Sequence, residues 1–284
     1  MLHDAHNHLQ DEWLRPHWEQ IAADRATAGI GAMVVNGTCE ADWPVVAELA
    51  RRFPWVRPSY GLHPWDVGNA SPGWREALQR QLDADPRAAV GEIGLDRWIL
   101  ERARPDDPRL AGLRRASLAE QDDAFRWQLA LAAERGRPAS VHCLDAWGAL
   151  SAALQETPRP AGLLLHAYGG PVELIGPYAK LGAYFSFNGH RLGAPAGSAR
   201  AERFQTLVRA LPEERLLVET DAPAMPLPRE RRRFALPVRT DGTEVAHPAD
   251  LVAAQAALAE LQGAEPAALA ARLEANFHAL FGAD

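Results

Sequence analysis

The sequence predicts an α/β fold, and within that class a single-domain (β/α)8 TIM barrel over residues 1–284 with an extra C-terminal helix. Three observations carry this expectation. Eight apolar runs alternate with helix-like stretches, as parallel βα units require. Many of those runs end in a polar side chain. A chain of 284 residues is also of normal length for one barrel. A doubly wound open sheet would give the same alternation, but it would spread the polar ends along an edge. A barrel gathers them at one mouth.

The expected strands are Leu2–Leu9, Ala32–Asn36, Val56–His63, Ala88–Leu95, Ala139–His142, Gly162–His166, Ala183–Phe187 and Leu216–Asp221. Helical patterns fall between them at Trp13–Ala28, Pro44–Phe53, Trp74–Leu82, Leu118–Arg135, Ala146–Leu154 and Ala201–Leu211. Ser117 and Glu120 read as a capping box for the fourth of these, which Gly136 and Pro138 stop. Residues 97–115, arginine-rich and broken by prolines, read as an excursion above the mouth. The proline-rich stretch after Asp221 reads as a second long loop, and Pro266–Phe281 as the extra closing helix.

Composition narrows the function. At 47% apolar and 24% charged, the chain suits a globular protein with a large core. It offers no signal-peptide pattern and no run of about 18 apolar residues, so a cytoplasmic protein without membrane attachment is expected. Two cysteines, Cys39 and Cys143, are too few for a disulfide framework. A net charge of −7 argues against coating nucleic acid by bulk electrostatics, although metal ions and a few arginines can still supply local positive charge.

His6 and His8 lie two apart on a strand, so their imidazoles share a face and suit chelation of one metal, although such a pair is often incidental. Glu92 stands inside the otherwise apolar strand around Val90-Gly91-Glu92-Ile93-Gly94; it is either a satisfied core group or a carboxylate awaiting a cation. His142, His166 and Asp221 each end a strand, where each alone could be a core or capping residue. Together, four histidines and two carboxylates on five strand ends form a ligand set for two divalent ions of the zinc, manganese or magnesium kind. Two close cations need a shared anionic ligand. The only lysine, Lys180, lies in a helix-like region and cannot serve as a carboxylated bridge, which leaves Glu92.

Asp4-Ala5-His6-Asn7-His8-Leu9, Gly61-Leu62-His63-Pro64, Gly91-Glu92-Ile93-Gly94-Leu95-Asp96, Val141-His142, His166-Ala167-Tyr168-Gly169-Gly170 and Glu219-Thr220-Asp221-Ala222-Pro223 resemble the TatD family of metal-dependent deoxyribonucleases, in the family's order and over most of the chain. The resemblance implies His6, His8, Glu92 and Asp221 on one metal and Glu92, His142 and His166 on the other. It implies a metal-activated water, oriented by Asp221, that attacks phosphorus in line. It makes His63 a further active-site residue that binds a phosphate oxygen or protonates the leaving group, against the alternative of a turn residue before Pro64. DNA is then the expected substrate, and no obligate protein partner is implied. Hydrolysis of a small ester or amide on the same centre, or a metal-stabilised scaffold, are the rival readings.

The chain departs from the family's pattern in what would surround the substrate. His142-Cys143-Leu144 replaces His-x-Arg, Trp65 follows His63-Pro64 where relatives carry histidine, and Thr243-Glu244-Val245 stands for Asn-Glu-Pro. Trp65 either stacks on a base or packs on a neighbouring loop. Cys143 is either a nucleophile or, as neighbouring strand residues face opposite ways, a structural thiol. Arg229, Arg231, Arg232 and Arg233 are either a solvated run or a substitute for the missing phosphate-binding arginine.

Overall fold

The computed structural model describes residues 1–194 and 197–283. Eight parallel strands lie in the order β1-β2-β3-β4-β5-β6-β7-β8, alternating with helices, which is the (β/α)8 barrel that the sequence predicts. By packing density the chain divides into two compact units, Met1–Val35 with Ala167–Asp284, and Asn36–His166.

The first unit holds β1 (Leu2–Asn7), β2 (Ile30–Asn36), β7 (Ala183–Phe187) and β8 (Leu216–Val218). Its strands are almost wholly buried, β2, β7 and β8 mostly apolar and β1 carrying buried polar groups, as expected where helices cover one face and a packed interior the other. α1 (Trp18–Thr27) follows β1, and α8 (Ala199–Ala210) precedes β8. The predicted closing helix is present as α10 (Pro266–Phe281), which packs on β1 and β8 through Leu269, Leu273, Phe277 and Leu280. Asn276 ties it down by donating from Nδ2 to Glu213 O (2.7 Å) and Leu216 O (2.8 Å). A further helix, α9 (Leu251–Gln262), ends at Gly263 with φ 64°, and no apolar period had marked it. Its run of alanines is buried all round, so propensity rather than amphipathicity carries the signal.

The second unit holds β3 (Val56–Tyr60), β4 (Ala89–Asp96), β5 (Pro138–Leu144) and β6 (Gly162–Leu165), with α2 (Trp43–Arg52), α3 (Trp74–Ala84), α5 (Leu118–Glu134) and α6 (Trp147–Glu156). The Ser117–Glu120 capping box forms as read. β4 and β5 run in register with Gly94 opposite His142 and Asp96 opposite Leu144. Gly94 has φ 148°, and a Cβ there would meet His142 O at 1.9 Å, so only glycine lets these two strands approach.

Helix α5 also fixes the strand ends. Gln121 and Gln128, two turns apart and fully buried, hold backbone groups that leave the ladder. Gln128 accepts from Leu62 N (2.7 Å) and donates to Leu62 O (3.2 Å), next to His63. Gln121 accepts from Asp96 N (2.8 Å) and donates to Asp96 O (3.1 Å). The excursion at 97–115 contains a short helix, α4 (Trp98–Glu101), and buries Leu110 and Ile99. Among the described residues no helix is long and apolar enough to cross a membrane.

Candidate metal centre

In the first unit, β1 delivers His6 and His8 on one face, as the period of two requires. The chain leaves the sheet at the end of β8, and Asp221 sits beyond it with φ 54°. Asp221 N donates to His6 O (3.0 Å) and His8 N to Ala222 O (2.8 Å), so the two segments are joined by backbone. This brings three donors together: His6 Nε2 to His8 Nε2 is 3.3 Å, His8 Nε2 to Asp221 Oδ1 3.4 Å, and His6 Nε2 to Asp221 Oδ1 3.8 Å. Metal–ligand bonds of ~2.0–2.2 Å in a tetrahedron place ligand atoms ~3.3–3.6 Å apart, so this group fits a common cation.

Beneath the triplet lies a buried carboxylate for which sequence reasoning found no role. Asp4 accepts from His6 N (3.2 Å), Thr220 N (3.0 Å), Thr220 Oγ1 (2.5 Å) and Asn7 Nδ2 (3.2 Å), and so sets the backbone that carries His6 and Asp221. Burial pushes its carboxyl up to about 7 even though the Thr220 hydroxyl and both amides pull it down. Glu219, likewise buried, accepts from the Ser186 hydroxyl, whose oxygen in turn accepts from Ala167 N (3.2 Å). Ala167 itself holds φ 43°, a left-handed conformation that costs a non-glycine residue roughly 1–2 kcal/mol.

In the second unit, Glu92 is 3% exposed and three imidazoles converge on its Oε1: His166 Nε2 at 2.8 Å, His142 Nδ1 at 3.1 Å and His63 Nε2 at 3.4 Å. His166 Nε2 and His142 Nδ1 are 3.4 Å apart, again the spacing of donors on one ion. The other nitrogen of His142, Nε2, lies 3.1 Å from Asp96 Oδ2. Burial alone would lower the His142 imidazole, but hydrogen bonds to Asp96 and Glu92 outweigh it and lift it to about 9 in the absence of metal. A ligating nitrogen backed by a carboxylate on the opposite nitrogen is the usual support of a metal-bound histidine. Asp96 closes the motif at 91–96, yet nothing in its spacing gave it this role.

His63 differs from the other four histidines named at these sites. Its Nδ1 accepts from Trp65 N (3.2 Å), so in the neutral ring the proton resides on Nε2, the atom facing Glu92. Burial pushes the imidazole below its ordinary value, with Glu92 opposing, which favours that neutral ring. With its proton on Nε2 the ring donates toward Glu92; with that proton lost, His63, Glu92 and His142 offer donor atoms close enough together to hold an ion.

The remaining sequence alternatives resolve in turn. Trp65 packs as a rim residue: its indole donates to Asp96 Oδ2 (2.6 Å) and stacks on Trp98 at 6.1 Å, and Arg109 lies 4.8 Å from the centre of the Trp98 ring. Burial pushes the Cys143 thiol up to about 12, so it is inert rather than nucleophilic. Arg229 and Arg232 both pair with Glu244, and Arg231 with Glu260 (2.9 Å). Three of the four loop arginines are therefore already neutralised.

A sequence profile described as TatD-related DNase matches residues 3–282. The chain belongs to the TatD-related DNase family. It is 30% identical over 279 residues to a protein named 3'-5' ssDNA/RNA exonuclease TatD from Klebsiella pneumoniae (strain 342), covering 98% of this chain and 96% of that one. A protein of the same name from Edwardsiella piscicida is 31% identical over 219 residues, 74% of this chain and 75% of the other. The crystal structure of YJJV, a TatD homolog from Escherichia coli K12, superposes with a TM-score of 0.81 at 26% identity, covering 100% of this chain and 98% of that one. A TatD family hydrolase from Entamoeba histolytica shares the fold, with a TM-score of 0.77 at 16% identity over 99% of this chain and 98% of its own. As a TatD family member the protein is a metal-dependent hydrolase, and both units carry groups able to bind a metal.

Proposed function

We propose that this protein is a phosphodiesterase that shortens nucleic-acid strands, DNA foremost, and that the whole chain acts as one catalytic domain. His6, His8, Glu92, His142, His166 and Asp221 hold two divalent ions of the zinc, manganese or magnesium kind, with Glu92 assigned to both by the family's pattern. The observation that carries this reading is the spacing of the donor atoms, 3.3–3.8 Å in the first unit and 2.8–3.4 Å in the second, on residues that the resemblance to the family singles out. Bound ions supply Lewis-acid activation of water and neutralise charge on the phosphoryl oxygens.

The protein's own groups do the rest. Asp221 orients the attacking water and takes its proton on a carboxylate oxygen. His63 presents its Nε2 proton to the oxygen of the leaving strand, and the Trp65 amide on Nδ1 keeps that tautomer in place. Asp96 holds His142 so that Nδ1 faces Glu92. A cytoplasmic location and a nucleic-acid substrate without a protein partner accompany this reading.

The test is a panel of 3'-labelled single-stranded DNA, RNA, duplex DNA and nitrophenyl esters, each with added zinc, manganese or magnesium and with chelator. Metal-dependent release of nucleotides from single-stranded DNA is expected. Equal turnover by verified metal-free protein, or rapid ester hydrolysis with no phosphodiester cleavage under any ion, would overturn it.

A further inference from the structure

The segment after β7 carries a positive charge that no acidic group among the described residues neutralises. Asn188-Gly189-His190-Arg191 is pinned at the same strand ends as Asp221. Glu219 N donates to Phe187 O (3.0 Å), Asn188 Nδ2 lies 3.5 Å from Glu219 Oε1, and His190 Nδ1 lies 2.9 Å from Pro226 O, on the loop after Asp221. Arg191 then folds back over the glycine pair that follows the sixth strand. A Cβ on Gly169 would sit 2.2 Å from Arg191 Nη2 and 2.6 Å from Nη1, so the absence of a side chain there is what makes room for the guanidinium.

Arg191 is mostly buried, and among the described residues no carboxylate pairs with it. Burial, and after it the Arg200 charge, push its guanidinium below the usual value, yet an arginine stays charged at any physiological pH. Withdrawing such a cation even partly from water is costly without an anion. The exposed loop arginines 229 and 231 and the half-buried Arg232 pair with Glu244 and Glu260; Arg191 pairs with no carboxylate among the described residues. Its planar fork matches the oxygens of a phosphate. Leu144, the residue two after His142, offers no such contact.

We propose that Arg191, seated over Gly169, binds a backbone phosphate of the nucleic-acid strand. This rests on the phosphodiesterase reading above. It gives the substrate a positive anchor on the loop between β7 and α8, and it explains why Gly169 is free of a side chain.

The test compares wild type with Arg191→Ala, Gly169→Ala and, as a control, Arg231→Ala, all metal-loaded. On a single-stranded DNA of ten nucleotides, Arg191→Ala should raise KM roughly ten-fold or more and cut the slope of log affinity on log salt by about 0.7, one phosphate contact on a single strand. Gly169→Ala keeps the charge but displaces the guanidinium, and should raise KM in the same direction. Arg231→Ala should leave KM unchanged. Melting temperature separates this role from a structural one: removing an unpaired buried cation should leave Arg191→Ala as stable as wild type or more so. Inorganic phosphate should raise the melting temperature of wild type more than that of Arg191→Ala. If wild type cleaves DNA but Arg191→Ala keeps its KM, salt slope and phosphate response, Arg191 is not the anchor and the nuclease reading stands. If wild type cleaves no nucleic acid yet shows the Arg191-dependent phosphate response, the anchor stands and the nuclease reading falls. Equal phosphate responses in both proteins overturn the anchor.

Discussion

Asp96→Asn separates charge from shape at the residue that backs His142, a proposed metal ligand. Asp96 is fully buried and uses both oxygens: Oδ1 accepts from Ile99 N (3.0 Å), while Oδ2 accepts from Trp65 Nε1 (2.6 Å) and holds His142 Nε2 (3.1 Å). Burial raises this carboxyl, but His142 first, then Trp65 and Ile99, outweigh it and hold it below its usual range. Asparagine has one acceptor oxygen. Kept toward Trp65 and His142, it preserves both bonds in neutral form and turns its amide against Ile99 N. That orphaned amide costs about 1–3 kcal/mol, which for a chain of this size is a melting-temperature drop of roughly 2–10 °C. The lost anion is a separate effect. Changing a partner of this kind lowers metal affinity ~10–100-fold, or ~1.4–2.7 kcal/mol, within the ~1.5–3 kcal/mol of a hydrogen bond to a charged group. The assay is competitive zinc titration with a chromophoric chelator alongside thermal unfolding. Trp65→Phe, which removes only one donor to the same oxygen, should give a smaller loss, and the double variant should be non-additive because the two share one atom. Wild-type zinc affinity in Asp96→Asn would refute the argument, whatever happens to turnover.

Other expectations follow from the same geometry. In chelator-treated protein His142 titrates at about 9, above the 6.5 of an unfolded histidine, so its contribution is complete below pH 6.5 and is lost as pH rises through 9; the metal-free melting temperature should fall over that window, and a flat profile would contradict it. His63→Ala should lower turnover ~10²–10⁴-fold while leaving metal content unchanged; elemental analysis showing lost metal would make it a ligand. Gly94→Ala forces a Cβ to 1.9 Å from His142 O at a φ of 148°, so it should abolish folded protein, and a well-folded variant with native metal content would disprove the close approach.

Most of the candidate ligands were legible because His142, His166 and Asp221 each close an apolar run and Glu92 interrupts one, and a polar group at such a place is a local signal. His6 and His8 needed only the period of two. The ends themselves were read too long: Leu216–Asp221 is a strand only to Val218, and Asp221 reaches its position through a left-handed turn that the preceding leucines and valine cannot announce. Gln121 and Gln128 were invisible for the opposite reason. On sequence they are polar positions of an amphipathic helix, indistinguishable from solvent-facing ones, yet both amides turn inward to the ends of β3 and β4.

Charge was the least legible property, because its meaning depends on partners far along the chain. Arg229, Arg231, Arg232 and Arg233 form the conspicuous basic run, and their place after Asp221 leaves a phosphate contact and a solvated run equally open in the sequence. Glu244 lies 15 and 12 residues beyond its two partners, and Glu260 29 residues beyond Arg231, separations that no helical or strand period encodes. Once those pairs form, the run brings little unmatched charge to a substrate, since each exposed pair is close to neutral at a distance and is screened by salt. Arg191 stands in no run and attracts no notice in the sequence, yet glycine at 169 makes space for it and no acid among the described residues shares that space. A basic residue therefore marks an anion site by what does not face it, and that is a property of the folded chain alone.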